Sequence, residues 1–185
     1  PGMKVLDMGA GAGYNTELMA RAVGPTGMVY AQDSAAIAAR AKPRFDARAQ
    51  IPAMHHVVQL IRPYDDPVPP ELHNLDLITF FFWYHDTTYM KVDRAKMDKA
   101  LFEVLKPGGI LVVADHSARP GDGTSVGGTF HRIEESVVKR EVEAAGFKLV
   151  DEGNFLRHPE DPRDAPIFHP KVPVDEFVLK FEKPR

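Results

Sequence analysis

Two hydrophobic patterns alternate along the chain. Short runs of consecutive apolar residues are separated by segments in which apolar residues recur every three or four positions. The first pattern is typical of buried parallel strands, and the second of amphipathic helices that pack on them. The predicted strands are Met3–Met8, Met28–Gln32, Val57–Ile61, Leu75–Phe82, Ile110–Ala114, Phe147–Val150 and Phe177–Phe181. This alternation predicts an α/β fold with a mostly parallel, seven-stranded sheet and helices on both faces.

The helical segments carry recognisable start and stop signals. Ser34 is a good N-cap for the second helix, and Pro43 is expected to kink or end it because proline lacks the amide hydrogen. Pro107-Gly108-Gly109 is expected to stop the third helix. The predicted helices are Thr16–Val23, Ala35–Ala41, Asp93–Leu105 and Ile133–Ala145.

The segment from Ala118 to Thr129 fits neither pattern. It is rich in glycine, contains Pro120 and has no large apolar side chain before Phe130. Nothing in it is suited to anchor the segment to a core, so we expect a mobile loop.

Length and composition narrow the class of protein. The 185 residues fit one domain, residues 1–185, and a net charge of -3 disfavours a nucleic-acid partner. The absence of cysteine excludes disulfides and thiolate chemistry. No run reaches the ~18 apolar residues of a membrane span, so we expect a cytoplasmic protein that does not cross a membrane. The chain opens on Pro1-Gly2 rather than Met, which leaves an upstream targeting segment open.

A glycine-rich turn joins the first predicted strand to the first helix. Gly9, Gly11 and Gly13 alternate there, which lets the backbone approach a ligand closely beside a helix N-terminus. Asp33 follows the second strand, where a ribose diol would be bound in such a fold. Together these features indicate a cofactor that contains adenosine. Tyr14 and Thr16 stand where a dinucleotide-binding loop needs glycine or alanine, which disfavours nicotinamide cofactors.

Two motifs resemble those of class I S-adenosylmethionine-dependent methyltransferases. The segment Asp7–Gly13 reads D-x-G-x-G-x-G, like the first motif of that class, and Leu105–Gly109 resembles its L-K-P-G-G turn. The resemblance covers nearly all of the chain and implies a Rossmann-like sheet with an antiparallel final strand pair. Within the class, Phe80–Asp86 and Ala114–Gly121 look like a group of bacterial predicted methyltransferases with poorly defined substrates.

The resemblance implies S-adenosylmethionine as the cofactor. It also implies the cofactor-binding residues, which are Asp7, Gly9, Ala10, Gly11, Gly13, Asp33 and Phe82. Asp7 has an equal alternative role, which is to cap the amide groups of the glycine loop. Two departures stand out. Ile61-Arg62-Pro63 occupies the place of the acidic residue that often contacts adenine, and the helix that usually precedes the first strand is absent from this sequence.

Three residues are candidates for the catalytic groups. His85 and His116 each follow a central strand at its carboxyl end, where open α/β sheets bind ligands. His116 is the preferred general base, and Tyr84 is expected to orient the nucleophile. The loop after His116 is expected to close as a lid over the acceptor. Arg132 and His131 are expected to cap the next helix, with contact to an anionic substrate as the alternative.

No metal site is expected. Magnesium needs hard oxygen ligands, and Asp115-His116 lacks the partners that catechol-type O-methyltransferases supply. The basic residues between positions 40 and 48 are expected to form a solvated helix face rather than an RNA patch.

The predicted function is methyl transfer from S-adenosylmethionine to a small molecule. Oxygen is slightly favoured as the acceptor atom, because histidine is suited to remove a hydroxyl proton near neutral pH. A non-catalytic sensor domain that binds the cofactor is the main alternative, and a nicotinamide-dependent oxidoreductase is the weaker one. The methyl acceptor and the oligomeric state stay open.

Overall fold

A computed structural model describes residues 1–185 and contains one seven-stranded sheet. The strand order is β3-β2-β1-β4-β5-β7-β6. The strands are β1 (Lys4–Met8), β2 (Met28–Asp33), β3 (Val57–Ile61), β4 (Leu75–Phe81), β5 (Leu105–His116), β6 (Lys148–Gly153) and β7 (Glu176–Glu182). The first five strands pair in parallel, whereas β7 runs antiparallel to both β5 and β6. The predicted mostly parallel α/β sheet is therefore confirmed.

Six α-helices connect the strands. They are α1 (Tyr14–Val23), α2 (Ala35–Ala49), α3 (Tyr84–Thr87), α4 (Arg94–Val104), α5 (Gly127–Phe130) and α6 (Glu135–Ala144). Asp93 caps α4, where its carboxylate accepts the amide hydrogen of Lys96 at 3.0 Å. Ser34 occupies the N-cap position of α2 but makes no capping hydrogen bond through its side chain. None of the helices is long and apolar enough to cross a membrane.

The second helix does not end at Pro43, so that part of the expectation is wrong. Helix α2 continues through Pro43 to Ala49. The missing hydrogen bond is offset by burial of Phe45, which packs with Ala20 and Val29 against the sheet. The continuation matters for the site, because the second half of α2 lies against the turn between β1 and α1.

Two hydrophobic clusters lie on opposite faces of the sheet. Val5 and Leu6 are neighbours in β1 but belong to different clusters, since successive side chains of a strand point to opposite faces. The larger cluster joins β4, β5 and β7 to α4 and α6, with Leu101 and Val138 fully buried. Strands β2 and β3 lie on one side of β1, and β4 and β5 lie on its other side, so the strand order reverses at β1. In such sheets, ligands bind in the crevice at the carboxyl ends of the strands next to this point.

Candidate active site

The glycine loop between β1 and α1 is left-handed at all three glycines. Gly9, Gly11 and Gly13 have φ values of 69°, 53° and 79°. A Cβ atom on Gly9 would lie 2.6 Å from Trp83, and one on Gly13 would lie 3.1 Å from Phe45. A Cβ on Gly11 would meet no atom nearer than 3.9 Å, so its space is open toward a ligand. Packing thus requires two of the glycines, and the third leaves room for a bound molecule.

Asp7 ties the loop to its surroundings instead of facing a ligand. Its buried carboxylate accepts hydrogen bonds from the hydroxyls of Thr16 at 2.6 Å and Thr79 at 2.9 Å. Burial raises the pKa of Asp7 to about 6, against the lowering effect of the two hydroxyls. Asp7 therefore joins β1, α1 and β4, and this geometry matches neither of the two roles expected from the sequence.

Asp33 lies at the carboxyl end of β2, beside the glycine loop. Its carboxylate accepts the amide hydrogen of Gly11 at 2.7 Å and the hydroxyl hydrogen of Tyr64 at 3.3 Å. Burial raises the pKa of Asp33 to about 6, although both hydrogen bonds act in the opposite direction. Because each carboxylate oxygen has two lone pairs, acceptor capacity for ribose hydroxyls remains.

A cavity of about 320 Å³ opens over the glycine loop. Its walls come from the loop, from one face of α2 and from the end of β4. The lining residues are Gly9, Ala10, Gly11, Ala12, Tyr14, Asn15, Ile37, Arg40, Ala41, Arg44, Phe81, Phe82 and Trp83. Four of the cofactor residues expected from the sequence are in this lining, and they are Gly9, Ala10, Gly11 and Phe82. The other three expected residues, Asp7, Gly13 and Asp33, are not part of the lining.

The lining shows contacts that sequence reasoning missed. Arg40 and Arg44 are exposed, as expected for a solvated helix face, and both also line the cavity with Ile37 and Ala41. The spacing of these four positions by three or four residues is the signal that places them on one helix face. Arg62, which follows β3, donates to the main-chain carbonyl and to the carboxylate of Asp66.

Phe82 lines the cavity just after β4, and His116 packs against it from outside the lining. We call the region around these two residues the acceptor end, because the sequence predicts His116 as the general base. Phe82 has a φ of 61°, a strained conformation for a bulky residue, and its amide donates to Ala114 at 2.8 Å. The rings of Phe82 and His116 stack with centroids 4.9 Å apart. Nδ1 of His116 lies 3.0 Å from a carboxylate oxygen of Glu176, but the two atoms are not aligned as a hydrogen bond.

His85 is buried in a network of charged groups. Its Nδ1 lies 2.6 Å from Asp115, and its Nε2 lies 3.1 Å from Asp86 and 3.2 Å from His131. Burial lowers the pKa of His85, but the carboxylates of Asp115 and Asp86 outweigh it and raise the pKa to about 9. His85 is thus poorly suited to accept a proton at neutral pH. Sequence reasoning expected no metal-binding role for Asp86, and it expected His131 to cap a helix, with contact to an anionic substrate as the alternative.

Tyr84 points away from this end of the sheet. Its hydroxyl is buried between α4 and α6, 2.8 Å from Asp98 and 3.1 Å from Glu141. The predicted role in orienting the nucleophile does not fit this position. Strand β4 ends at Phe81, the backbone turns at Phe82 with a left-handed φ of 61°, and Tyr84 begins α3. Because of this turn, Phe82 lines the cavity while Tyr84 packs in the core.

The glycine-rich segment after β5 has an anchor that its composition did not indicate. The carboxylate of Glu134 accepts the amide hydrogens of Gly121 at 2.9 Å and Gly123 at 3.0 Å. The short helix α5 closes the segment. The anchor is an acidic side chain from outside the segment, so the segment's own composition could not reveal it.

Arg132 makes buried contacts instead of capping the next helix. It is 2% exposed and forms a buried ion pair with Asp161 at 2.7 Å, while also donating to the carbonyl of Ser117 at 3.0 Å. These bonds fasten the proline-rich connection between β6 and β7 to the end of β5. Arg132 thereby holds this connection against the segment that contains His131.

Comparisons with solved structures support the fold. An S-adenosylmethionine-dependent methyltransferase from Aquifex aeolicus is 20% identical and superposes with a TM-score of 0.69, covering 98% of this chain and 82% of that one. A putative sarcosine dimethylglycine methyltransferase from Galdieria sulphuraria is 15% identical, with a TM-score of 0.70 and coverage of 98% and 78%. The N-methyltransferase NodS from Bradyrhizobium japonicum WM9 is 16% identical, with a TM-score of 0.65 and coverage of 99% and 86%.

A family model extends the comparison from fold to family. The model of the methyltransferase domain matches residues 5–109, more than half of the chain, and spans the glycine loop, Asp33 and the L-K-P-G-G segment that begins β5. The resemblance drawn from the motifs is confirmed, and the nicotinamide alternative falls away. The chain therefore belongs to the methyltransferase-domain family and is an S-adenosylmethionine-dependent methyltransferase.

Proposed function

We propose that this methyltransferase acts on a small molecule bound beside Phe82 and His116, and that the acceptor atom is oxygen. The observation that carries the proposal is the pairing of an imidazole with a carboxylate at the acceptor end. The ring of His116 stacks on Phe82 in the cavity wall, and a carboxylate oxygen of Glu176 lies 3.0 Å from its Nδ1. Such a pair is suited to remove a proton and to stabilise the imidazolium that results.

The residues over the glycine loop fit the methyl donor. The left-handed turn leaves the space above Gly11 open, and the N-terminus of α1 offers unpaired amide groups for a carboxylate. Asp33 retains acceptor capacity for ribose hydroxyls. When bound, S-adenosylmethionine supplies an already activated methyl group.

The protein's part is therefore positioning. Phe82 and Trp83 shape the wall between the two ends of the cavity, and the acceptor must be held in line with the methyl group. His116 takes the proton that a hydroxyl acceptor loses. Residues 1–185 act as one methyltransferase unit in this proposal, since β5, β6 and β7 extend the sheet begun by the matched region.

Nitrogen acceptors are the nearest competitor to oxygen. Two of the structural neighbours carry names that state or imply an amine substrate. Their low identity carries the fold and leaves the acceptor open. A neutral amine requires less help from a base, so the effect of removing His116 separates the two classes.

The decisive experiment measures formation of S-adenosylhomocysteine with a panel of phenols, hydroxy acids, amines and carboxylic acids. We expect turnover with at least one hydroxyl compound, and none in a Gly11→Val variant measured in parallel. Turnover confined to amines would overturn the oxygen assignment. Tight binding of S-adenosylmethionine without turnover on any compound would favour the sensor alternative.

A further inference from the structure

Three side chains beside the acceptor end converge on one point. Nε2 of His85, Oδ1 of Asp86 and Nδ1 of His131 form a nearly equilateral triangle. The separations are 3.1 Å from His85 to Asp86, 3.2 Å from His85 to His131 and 3.2 Å from His131 to Asp86. Two of these residues come from α3 and the third follows α5, so the fold brings them together across 45 positions of sequence.

The triangle needs a positive charge at its centre. Nδ1 of His85 donates its hydrogen to the fully buried carboxylate of Asp115 at 2.6 Å, which turns Nε2 toward the other two atoms. A carboxylate oxygen of Asp86 offers only lone pairs. Lone pairs that face each other in a buried site repel unless protons or a cation lie between them.

We propose that His85, Asp86 and His131 bind a divalent transition-metal ion. Three ligands of tetrahedral zinc lie about 3.3–3.4 Å apart and those of an octahedral ion about 2.8–3.0 Å, given metal–ligand distances near 2.0–2.1 Å. The observed separations of 3.1 Å to 3.2 Å fall between these values. An ion about 2.1 Å from each atom would sit roughly 1 Å out of their plane.

The chemistry of the ligands selects the class of metal. Imidazole nitrogens suit zinc, iron, cobalt and nickel, whereas magnesium and calcium require oxygen ligands. The sequence-based expectation of no metal considered only the oxygen ligands that magnesium needs. Three protein ligands leave at least one coordination position open, as in catalytic rather than structural zinc sites.

The surroundings match those of metal ligands. Asp115 receives the other ring hydrogen of His85, the carboxylate–histidine arrangement that fixes ligand orientation in metal sites. The hydroxyl of Tyr89 donates to the ligating oxygen of Asp86 at 2.6 Å. Of these two supporting groups, Asp115 is fully buried and Tyr89 is 47% exposed.

The site borders the proposed acceptor position but can be tested without it. The ring of His85 lies 5.6 Å from that of His116, which stacks on Phe82 in the cavity wall. The side chain of His131 is 25% exposed, which gives an ion access from solvent. Metal binding can be measured in the absence of methyl donor and acceptor, so its failure is distinguishable from failure of the proposed function.

The competing occupant of the triangle is a set of protons. A doubly protonated His85 and a neutral His131 that donates to Asp86 would satisfy the same atoms. In that case the cluster is an internal ion pair and has no particular affinity for zinc. The experiment must therefore measure binding of the metal itself.

The test titrates Zn²⁺ alone into tag-free protein that has been stripped with a chelator, with calorimetric detection. We expect one ion per chain. His131→Ala and Asp86→Asn should weaken binding at least as much as loss of an outer-shell partner, which costs ~10–100-fold, and Asp115→Asn should fall within that range. His158→Ala removes an exposed histidine that also lies beside a carboxylate, Glu160, and serves as the matched control.

Two outcomes would overturn the proposal. One is the absence of saturable binding by wild-type protein. The other is binding that His131→Ala and Asp86→Asn leave unchanged, which would assign the zinc to other members of the chain's eight histidines. Thermal unfolding of each variant verifies that it is folded, and His131 is the safer position because its side chain is partly exposed.

Discussion

The two ends of the candidate site are built in opposite ways. The cofactor end centres on one continuous turn, Gly9–Tyr14, and is completed by one face of α2 and by Asp33. The acceptor end and the His85–Asp86–His131 triangle beside it are assembled from side chains on four separated segments: His85-Asp86, Asp115-His116, His131 and Glu176. The difference teaches that a binding turn formed by neighbouring residues can be recognised from the spacing of its glycines in the sequence. A site formed by side chains that are distant in sequence can be recognised only once the tertiary structure is known.

The two ends also place backbone strain on different residues. At the cofactor end, glycines take up the left-handed conformations. At the acceptor end, Phe82 and His131 have φ values of 61° and 54°, conformations that cost on the order of 1–3 kcal/mol each for such residues.

The largest effect is expected at the cofactor end. Gly11→Val should abolish binding of S-adenosylmethionine, because the branched side chain fills the open space above the loop. Isothermal titration measures the affinity. Gly123→Val is the matched control, since Gly123 has a similar φ of 57° and an equally open Cβ position but lies after β5. Equal affinity in the two variants would mean that the loop is only a structural turn.

The next effect belongs to the acceptor end. His116→Ala should lower turnover by ~100-fold or more while leaving the affinity for S-adenosylmethionine unchanged, the result expected when a general base is lost. Steady-state kinetics and titration measure the two quantities. His158→Ala should match wild type in both. Full turnover in His116→Ala would place the base elsewhere or show that the acceptor needs none.

A smaller effect separates the two aspartates of the cofactor end. Asp33→Ala should weaken S-adenosylmethionine binding roughly 10- to 100-fold, because a hydrogen bond to a charged group contributes about 1.5–3 kcal/mol. Asp7→Asn should instead lower the free energy of unfolding with little change in affinity, since Asp7 binds Thr16 and Thr79. If affinity changes only in the Asp7 variant, the two roles are reversed.

The smallest effect concerns Asp98, the partner of Tyr84 in the core. Burial raises the pKa of Asp98 from 3.8 to about 7, against the hydrogen bond from Tyr84. Between pH 4 and 7 the folded protein therefore binds more protons than the unfolded chain, so stability falls as pH rises through this window. Asp98→Asn has no proton to lose there, and its stability relative to wild type should rise from pH 4 to pH 8.

Urea unfolding at several pH values measures this difference. Turnover of Asp98→Asn should stay close to wild type, because Tyr84 and Asp98 lie in the core. Identical pH dependence in both proteins would contradict the assignment. A large loss of turnover in this variant would mean that Tyr84 contributes to catalysis at the acceptor end, and the core position assigned to it would be wrong.

Much of the fold was predictable because its signals are local. Apolar runs and helix periodicity located all seven strands and their order of alternation with helices, and the final antiparallel pair followed from the family resemblance. The end of α2 was missed because the burial of Phe45, a tertiary contact, outweighs the local effect of Pro43. The anchoring of Gly121 and Gly123 was missed for the same reason.

The site divides in the same way. By itself the sequence determined the glycine turn and the placement of His85 and His116 after central strands, because both depend on neighbours along the chain. Only the tertiary structure decided that Asp7 faces Thr16 and Thr79 and that Tyr84 faces the core. It also brought His131 to His85 and Asp86. These contacts join segments that are far apart in sequence, so no local pattern reveals them. A shift of one residue along a strand is enough to move a side chain to the other face of the sheet.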